Sequence, residues 1–283
     1  MPDQSAKPLS YYGTAYNLSY QLDACEQAQA KVGLSGKRVL EVGGSLPREL
    51  VKDYYGVSQW VCIEQEEYYQ VFNAGVPGGK ARAWGALSDV QDPAALGDYA
   101  VVLGSIEDLP PALYGAFDVV FSVAAFEHIH KFGLALEKMA AALTPDGRLF
   151  SFFAPIWSSF RGHHLPEITD SSGQVFSFKN DSLPPWIHLR MRPPQLYAWL
   201  LQQTDSQTAG QIVYYMYHSS LINRLFVEDY ARYFAASPFT GDLSCEYEQH
   251  VPPDLQQKLE ALHPGYKIFS PIGLQAVMRL RAS

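Results

Sequence analysis

Arg38-Val39-Leu40-Glu41-Val42-Gly43-Gly44-Ser45-Leu46-Pro47 reads as a short apolar run that ends at once in a glycine turn. A buried strand entering a tight turn has this form. Glycine accepts backbone angles that other residues resist, and it has no Cβ to hold a ligand away. Residues 46–55 then read as a helix, with Pro47 suited to its first turn. About twenty residues beyond the turn, Trp60-Val61-Cys62-Ile63 forms a second apolar run that ends in Glu64. In such a unit an acidic residue at that place accepts hydrogen bonds from both ribose hydroxyls of a nucleoside, while turn N–H groups face the ligand. The plainer alternative is a helix-packing glycine turn beside a solvated glutamate.

Outward from this unit the pattern repeats. A helix is predicted over 66–73, a third strand at 101–103 followed by Gly104-Ser105-Ile106-Glu107-Asp108, and a fourth at 117–122. A helix over 133–143, a turn at Thr144-Pro145-Asp146-Gly147 and a fifth strand over 148–154 follow. Upstream, 18–32 reads as a helix capped by Asn17 or Ser19 and ended by Gly33, Ser35 and Gly36, and 1–17 reads as loop. Strands alternating with helices predict a parallel sheet with right-handed crossovers. Residues 156–220, rich in proline, serine, histidine and aromatics, break the rhythm and read as a pocket wall or lid. An amphipathic helix over 221–236 and strand-like runs at 243–251 and 273–281, an antiparallel pair, close the chain.

The chain has 283 residues, so one elaborated domain is as plausible as two. With 47% hydrophobic residues it can fill a large core, and 18% charged residues exclude a disordered or coiled-coil class. A net charge of −8 repels phosphate backbones, and Arg190 with Arg192 is too small a basic cluster to follow one. No nucleic-acid partner is therefore expected. No apolar run approaches the about twenty residues that cross a bilayer, so no membrane partner is expected either. Residues 1–10 lack the apolar stretch of a signal peptide. Cys25, Cys62 and Cys245 are far apart and form no CxxC pair, which predicts free thiols, a cytoplasmic setting and no zinc site. Oligomeric state leaves no mark in the sequence.

Two features separate the nucleoside cofactors. The GxGxxG fingerprint of dinucleotide sites is absent. In its place stand Glu41-Val42-Gly43-Gly44, Gly104-Ser105-Ile106-Glu107-Asp108-Leu109-Pro110, Phe117-Asp118-Val119-Val120-Phe121-Ser122, Glu127-His128-Ile129 and Leu143-Thr144-Pro145-Asp146-Gly147-Arg148-Leu149. In order and spacing residues 33–155 resemble class I S-adenosylmethionine-dependent methyltransferases, most closely the small-molecule branch. The resemblance implies a Rossmann-like α/β fold: a mostly parallel seven-stranded sheet, an antiparallel C-terminal strand, and an insertion after the fifth strand. It implies one domain over 1–283, with 1–32 a lid segment, 33–155 the cofactor core, 156–220 an acceptor-pocket insertion and 221–283 the closing helix and strands.

The implied cofactor is S-adenosyl-L-methionine. Glu41, Gly43, Gly44 and Ser45 would floor its methionine end, and Glu64 and Gln65 would hold the adenosine. Ser105, Ile106 and Glu107 would rim the adenine, and Ser122 and Val123 would line the path to the sulfonium. Ser45 and Pro47 stand where the family has glycines, which implies altered geometry for the carboxypropyl end. Segments such as Pro155-Ile156-Trp157-Ser158-Ser159 and Gly162-His163-His164-Leu165 also resemble a bacterial subgroup of biosynthetic enzymes.

Transfer of a methyl group to a hydroxyl needs a group that takes a proton near neutral pH, a role suited to histidine. His128, His163 and His164 are the candidates, each against the plainer role of a packed or loop-anchoring residue. A metal pair at His163 and His164, with Glu167 and Asp170 nearby in sequence, lacks a carboxylate pair at helical spacing, so no metal is expected. Tyr12, Tyr16, Trp157, Trp186 and Tyr215 are candidate acceptor contacts, with core packing the competing reading. The expectation is S-adenosylmethionine-dependent transfer to a small-molecule oxygen, less readily nitrogen. A non-catalytic binding protein on the same fold and a nicotinamide-dependent oxidoreductase are the alternatives.

Overall fold

A computed structural model describes residues 7–73 and 83–282. Two helices, α1 (Leu9–Tyr16) and α2 (Tyr20–Lys31), precede β1 (Arg38–Val42), β2 (Gln59–Glu64) and α3 (Glu66–Asn73). Then come β3 (Gly85–Ala86), β4 (Tyr99–Leu103), β5 (Phe117–Val123), α4 (Phe132–Ala142) and β6 (Leu143–Phe153). The insertion carries a small hairpin, β7 (Ile168–Thr169) and β8 (Val175–Phe176), and helices α5 (Ile187–Arg190), α6 (Pro193–Leu200) and α7 (Ser206–Tyr217). The closing elements are α8 (Val227–Ala236), β9 (Phe239–Glu248), α9 (Pro253–Leu262) and β10 (Pro271–Leu280).

The main sheet has eight strands in the order β3-β4-β2-β1-β5-β6-β10-β9. Every pairing from β3 to β6 is parallel, and β10 lies antiparallel between β6 and β9. This is a Rossmann-like α/β arrangement, a mostly parallel sheet closed by an antiparallel strand, as expected. The eighth strand, one more than expected, is the two-residue β3 on the edge. Strand order reverses at β1, which has β2 on one side and β5 on the other, and ligands of open α/β sheets bind beyond the carboxyl ends of the strands at such a point.

Period-two alternation sends successive strand residues to opposite faces. Leu40, Val42, Val61, Ile63, Val120 and Phe153 pack with Phe132, Leu136 and Met139 of α4 and Tyr230 and Phe234 of α8. Val39, Trp60, Cys62, Val119, Phe121 and Phe150 pack with Tyr12 of α1 and Ala24, Cys25 and Ala28 of α2. The insertion builds a separate cluster with α9 around Trp157, Phe176, Trp186, Leu196, Ile212 and Phe269.

Several local expectations change. The segment read as N-terminal loop contains α1, whose Tyr12 is 2% exposed. The helix expected over 46–55 is short and closes as a π-turn at Leu50–Tyr54, where the Tyr55 N–H reaches back to Leu50 O. The turn at Thr144–Gly147 is a bulge inside β6: Leu143 pairs with Phe117 and Arg148 with Val119, so the residues between are extra. The helix expected from 221 begins at Val227, because Arg224 takes a left-handed conformation (φ 60°) that a right-handed helix excludes. The insertion, read as loop, is partly helical.

Candidate active site

The turn after β1 is fixed from beneath. Glu41 is buried, and its carboxylate accepts from the Leu46 N–H (3.0 Å), the Trp60 indole N–H (2.7 Å) and the Cys62 thiol (3.0 Å). These bonds hold the loop in place, and they assign Glu41 to the support of the turn. Gly43 (φ 69°) and Gly44 (φ 153°) occupy angles that favour glycine. A Cβ on Gly43 would lie 2.3 Å from the Ala125 Cβ, so this glycine lets the β1 turn and the β5 turn touch. The Ser45 hydroxyl on the same turn is buried without a hydrogen-bond partner. An unpaired buried hydroxyl beside such a turn suits a polar ligand end.

At the ends of β2, β3 and β4 lies a cleft of about 370 Å³ lined by Gln65, Glu66, Gly85, Leu103 and Gly104, a volume in the range of small-molecule sites. Glu64 ends β2 beside it and accepts the Gln65 N–H at 2.8 Å. Ser105 donates to Glu107 in the next loop, and Ile106 is buried behind them.

The other half of the site follows β5 and β6. A single turn of 3₁₀ helix, Phe126–His128, leaves β5. The segment before α8 clamps it: the Asn223 N–H donates to Glu127 O (2.8 Å), and the Asn223 side-chain amide donates to Phe126 O (2.8 Å) and Ile129 O (3.0 Å). His128 Nδ1 bonds the Leu221 carbonyl, and His164 Nδ1 lies 3.1 Å from the Gly162 carbonyl. A carbonyl only accepts, so each Nδ1 carries the proton and each Nε2 keeps its lone pair. The two rings meet edge to face at 5.2 Å, and His164 stacks on Phe178 at 5.4 Å. Burial pushes both imidazoles below their ordinary pKa, so both are neutral at pH 7.

Glu127 completes the group. It is 1% exposed, and neither carboxylate oxygen has a hydrogen-bond partner. Burial pushes its pKa up to about 8, although the backbone amides of Glu127 and Ala154 favour the charged form. One ligating atom from each of Glu127, His128 and His164 lies within 4.8 Å of the others. Tyr68 of α3 packs beside this group. Its ring is 5.8 Å from His128, and burial and then the charges of Glu64 and Glu127 push its hydroxyl up.

The structure thus brings His128 and His164 together and leaves His163 apart. His163 accepts the Leu165 N–H on Nδ1 (3.1 Å) and faces His188 at 5.5 Å, so it anchors the insertion. The metal pairing weighed for His163 and His164 is corrected with it, because the two rings serve different surroundings. Ser122 is also corrected: its hydroxyl is fully buried and donates its one hydrogen to Val42 O (2.7 Å), which ties β5 to β1 and makes it a support of the sheet. Val123 sits partly buried against the α1–α2 face.

Of the acceptor candidates, Tyr12 packs on Tyr54 (5.8 Å), and Trp186 donates its indole N–H to Ser158 O and Phe269 O. Trp157 meets His188 at 4.5 Å and is 6% exposed. These three are core residues, corrected because their faces are spent on protein. Tyr16 stacks on Tyr12 at 6.5 Å, and burial followed by a hydrogen bond with Glu49 pushes its hydroxyl up to about 12. Tyr215 is partly buried against the insertion core. Sequence reasoning missed Tyr68, and it carried Glu127 only as part of the Glu127-His128-Ile129 motif. No local pattern marks a glutamate for burial.

Residues 80–151 match a family model described as a methyltransferase domain. Among solved structures the chain is similar to an S-adenosylmethionine-dependent methyltransferase from Mesorhizobium loti, with 12% identity, 93% of this chain and 99% of that one covered, and a TM-score of 0.47. It is also similar to the YcgJ protein from Bacillus subtilis, with 12% identity, 92% and 99% covered, and a TM-score of 0.45. No curated protein matches the chain. Among the described residues no helix is long and apolar enough to cross a membrane.

Proposed function

We propose that this chain is a class I S-adenosylmethionine-dependent methyltransferase and that the methyl group goes to a hydroxyl oxygen of a small molecule, a reading supported by the matched methyltransferase-domain model and the sheet order. The observation that carries the reading is the buried Glu127–His128–His164 group, whose ligating atoms lie within 4.8 Å of one another, with Tyr68 against the His128 ring. Bound in the cleft, the cofactor supplies an electrophilic methyl group and its own leaving group.

The residues present fit that cofactor. Glu64, at the end of β2, would accept from the ribose hydroxyls, Gln65 and the Ser105–Glu107 loop would flank the adenosine, and the Gly43–Gly44 turn, whose Gly43 N–H is held by Ile63 O, would present the unpaired Ser45 hydroxyl to the polar methionine end. The chain's own contribution on the acceptor side is to align the hydroxyl and to make loss of its proton cheaper at the Glu127–His128–His164 group. A hydroxyl is a weak nucleophile until its proton is removed, so a group that eases proton loss suits an oxygen acceptor. We read residues 1–283 as one catalytic unit, with the insertion shaping the acceptor side.

Two measurements test the reading. Glu64→Ala should weaken S-adenosylmethionine binding by about 1.5–3 kcal/mol, the scale of hydrogen bonds to a charged group, and unchanged affinity in calorimetry would remove the assignment. Incubation of the protein and cofactor with a metabolite extract should yield products heavier by one CH₂ that carry an O-methyl group. Products methylated solely on nitrogen would refute the oxygen reading.

A further inference from the structure

Glu127 presents a specific problem. A carboxylate removed from water is costly unless it is paired. Among the described ion pairs none includes Glu127, and both of its oxygens lack hydrogen-bond partners. The groups that bear on it are the backbone amides of Glu127 and Ala154, the hydroxyls of Tyr20, Tyr68 and Tyr230 and the imidazoles of His128 and His164, with no lysine or arginine among them. Each imidazole is held by a carbonyl at Nδ1, the arrangement that orients metal-binding histidines and leaves Nε2 as the ligating atom.

We infer that Glu127, His128 and His164 form a binding site for one divalent first-row transition cation, of the manganese-to-zinc class. Three atoms mutually within 4.8 Å share a point no farther than about 2.8 Å from each, against about 2.0–2.2 Å for bonds from imidazole or carboxylate to such a metal. Closing that gap takes side-chain movement of at most about 0.6–0.8 Å per ligand. Two imidazoles and one carboxylate favour manganese, iron, cobalt or zinc over magnesium and calcium, which prefer oxygen alone. The charge of the cation would supply the partner that the buried carboxylate lacks.

Three protein ligands leave positions open to an acceptor oxygen. In the methyl-transfer reading, on which this consequence rests although the site does not, the cation lowers the pKa of the acceptor hydroxyl. The O–H bond breaks and its proton leaves to solvent. The oxygen lone pair forms the bond to the methyl carbon while the carbon–sulfur bond breaks and its electrons stay on sulfur. The cation changes no oxidation state. His128 and His164 then act as ligands, and the cation promotes ionisation.

The test uses the full chain without a polyhistidine tag, stripped with a chelator and titrated with Co²⁺ while its visible absorption is recorded. The wild type should take up one Co²⁺ per chain and develop d–d bands. Glu127→Gln, which keeps the shape of the side chain, and His164→Ala should each weaken uptake at least a hundredfold. Circular dichroism confirms that each variant is folded, and should His164→Ala fail to fold, Glu127→Gln decides the matter. No uptake by the wild type, equal uptake by Glu127→Gln, or displacement of Co²⁺ by equimolar Mg²⁺ would overturn the proposal. Calorimetry with S-adenosylmethionine on the metal-free protein keeps the two readings apart, since cofactor binding without Co²⁺ binding sinks only the metal site.

Discussion

Gly43→Ala tests the contact on which both halves of the site depend. The substitution has two costs. The first is conformational: at φ 69° an alanine is in the left-handed region, which costs about 1–2 kcal/mol. The second is steric. The new Cβ would stand 2.3 Å from the Ala125 Cβ, where carbon atoms prefer about 3.5–4.0 Å, and forced overpacking of this kind costs about 1–3 kcal/mol. Together they come to about 2–5 kcal/mol, a large part of the about 5–15 kcal/mol that holds a domain folded.

The two costs can be separated. Ala125→Gly removes the opposing Cβ, so the double variant should recover the steric part and keep the conformational part. Chemical denaturation of the four proteins gives a coupling of about 1–3 kcal/mol by the double-mutant cycle. Because Ala125 leads directly into Phe126–His128, Gly43→Ala should also weaken S-adenosylmethionine binding and disturb turnover. A loss under about 0.5 kcal/mol, or strict additivity of the two changes, would show that the turns do not press on each other.

The histidines should separate by role. His164→Ala should lower turnover more than about a hundredfold with the cofactor affinity unchanged, whereas His163→Ala should leave the chemistry intact and cost about 1–3 kcal/mol of stability by orphaning the Leu165 N–H. Steady-state kinetics beside thermal unfolding distinguishes them. Ser122→Ala should cost about 1 kcal/mol in denaturant unfolding, from loss of its bond to Val42 O, and calorimetry should find cofactor affinity unaltered. Burial works to raise the Asp118 pKa, but hydrogen bonds from the Arg38 side chain and amide hold it below the ordinary carboxylate value. A depressed folded pKa stabilises above the unfolded value of about 3.9 and is lost as pH falls through the folded one. The stability gap between wild type and Arg38→Met should therefore be full at pH 7 and shrink below about pH 4, and a gap that stays constant in acid would assign it to packing.

The sequence by itself determined the alternation of strands and turns from β1 to β6, because apolar runs, glycines and the spacing of Glu41, Gly43 and Glu64 are local signals. It also determined that 156–220 departs from that rhythm. It did not separate the three histidine roles or the buried aromatics from the exposed ones. His163 and His164 are neighbours in the chain, yet a left-handed turn at His164 (φ 45°) sends one ring to His188 and the other to His128. Glu127 looks like an ordinary residue at the start of a helix. Only the packing of Asn223 and Leu221 over its turn, from far along the chain, buries it without a hydrogen-bond partner beside two lone pairs. Local patterning sets which face of an element is apolar, but the environment of a charge depends on which distant segments close over it, and that is settled only when the chain folds.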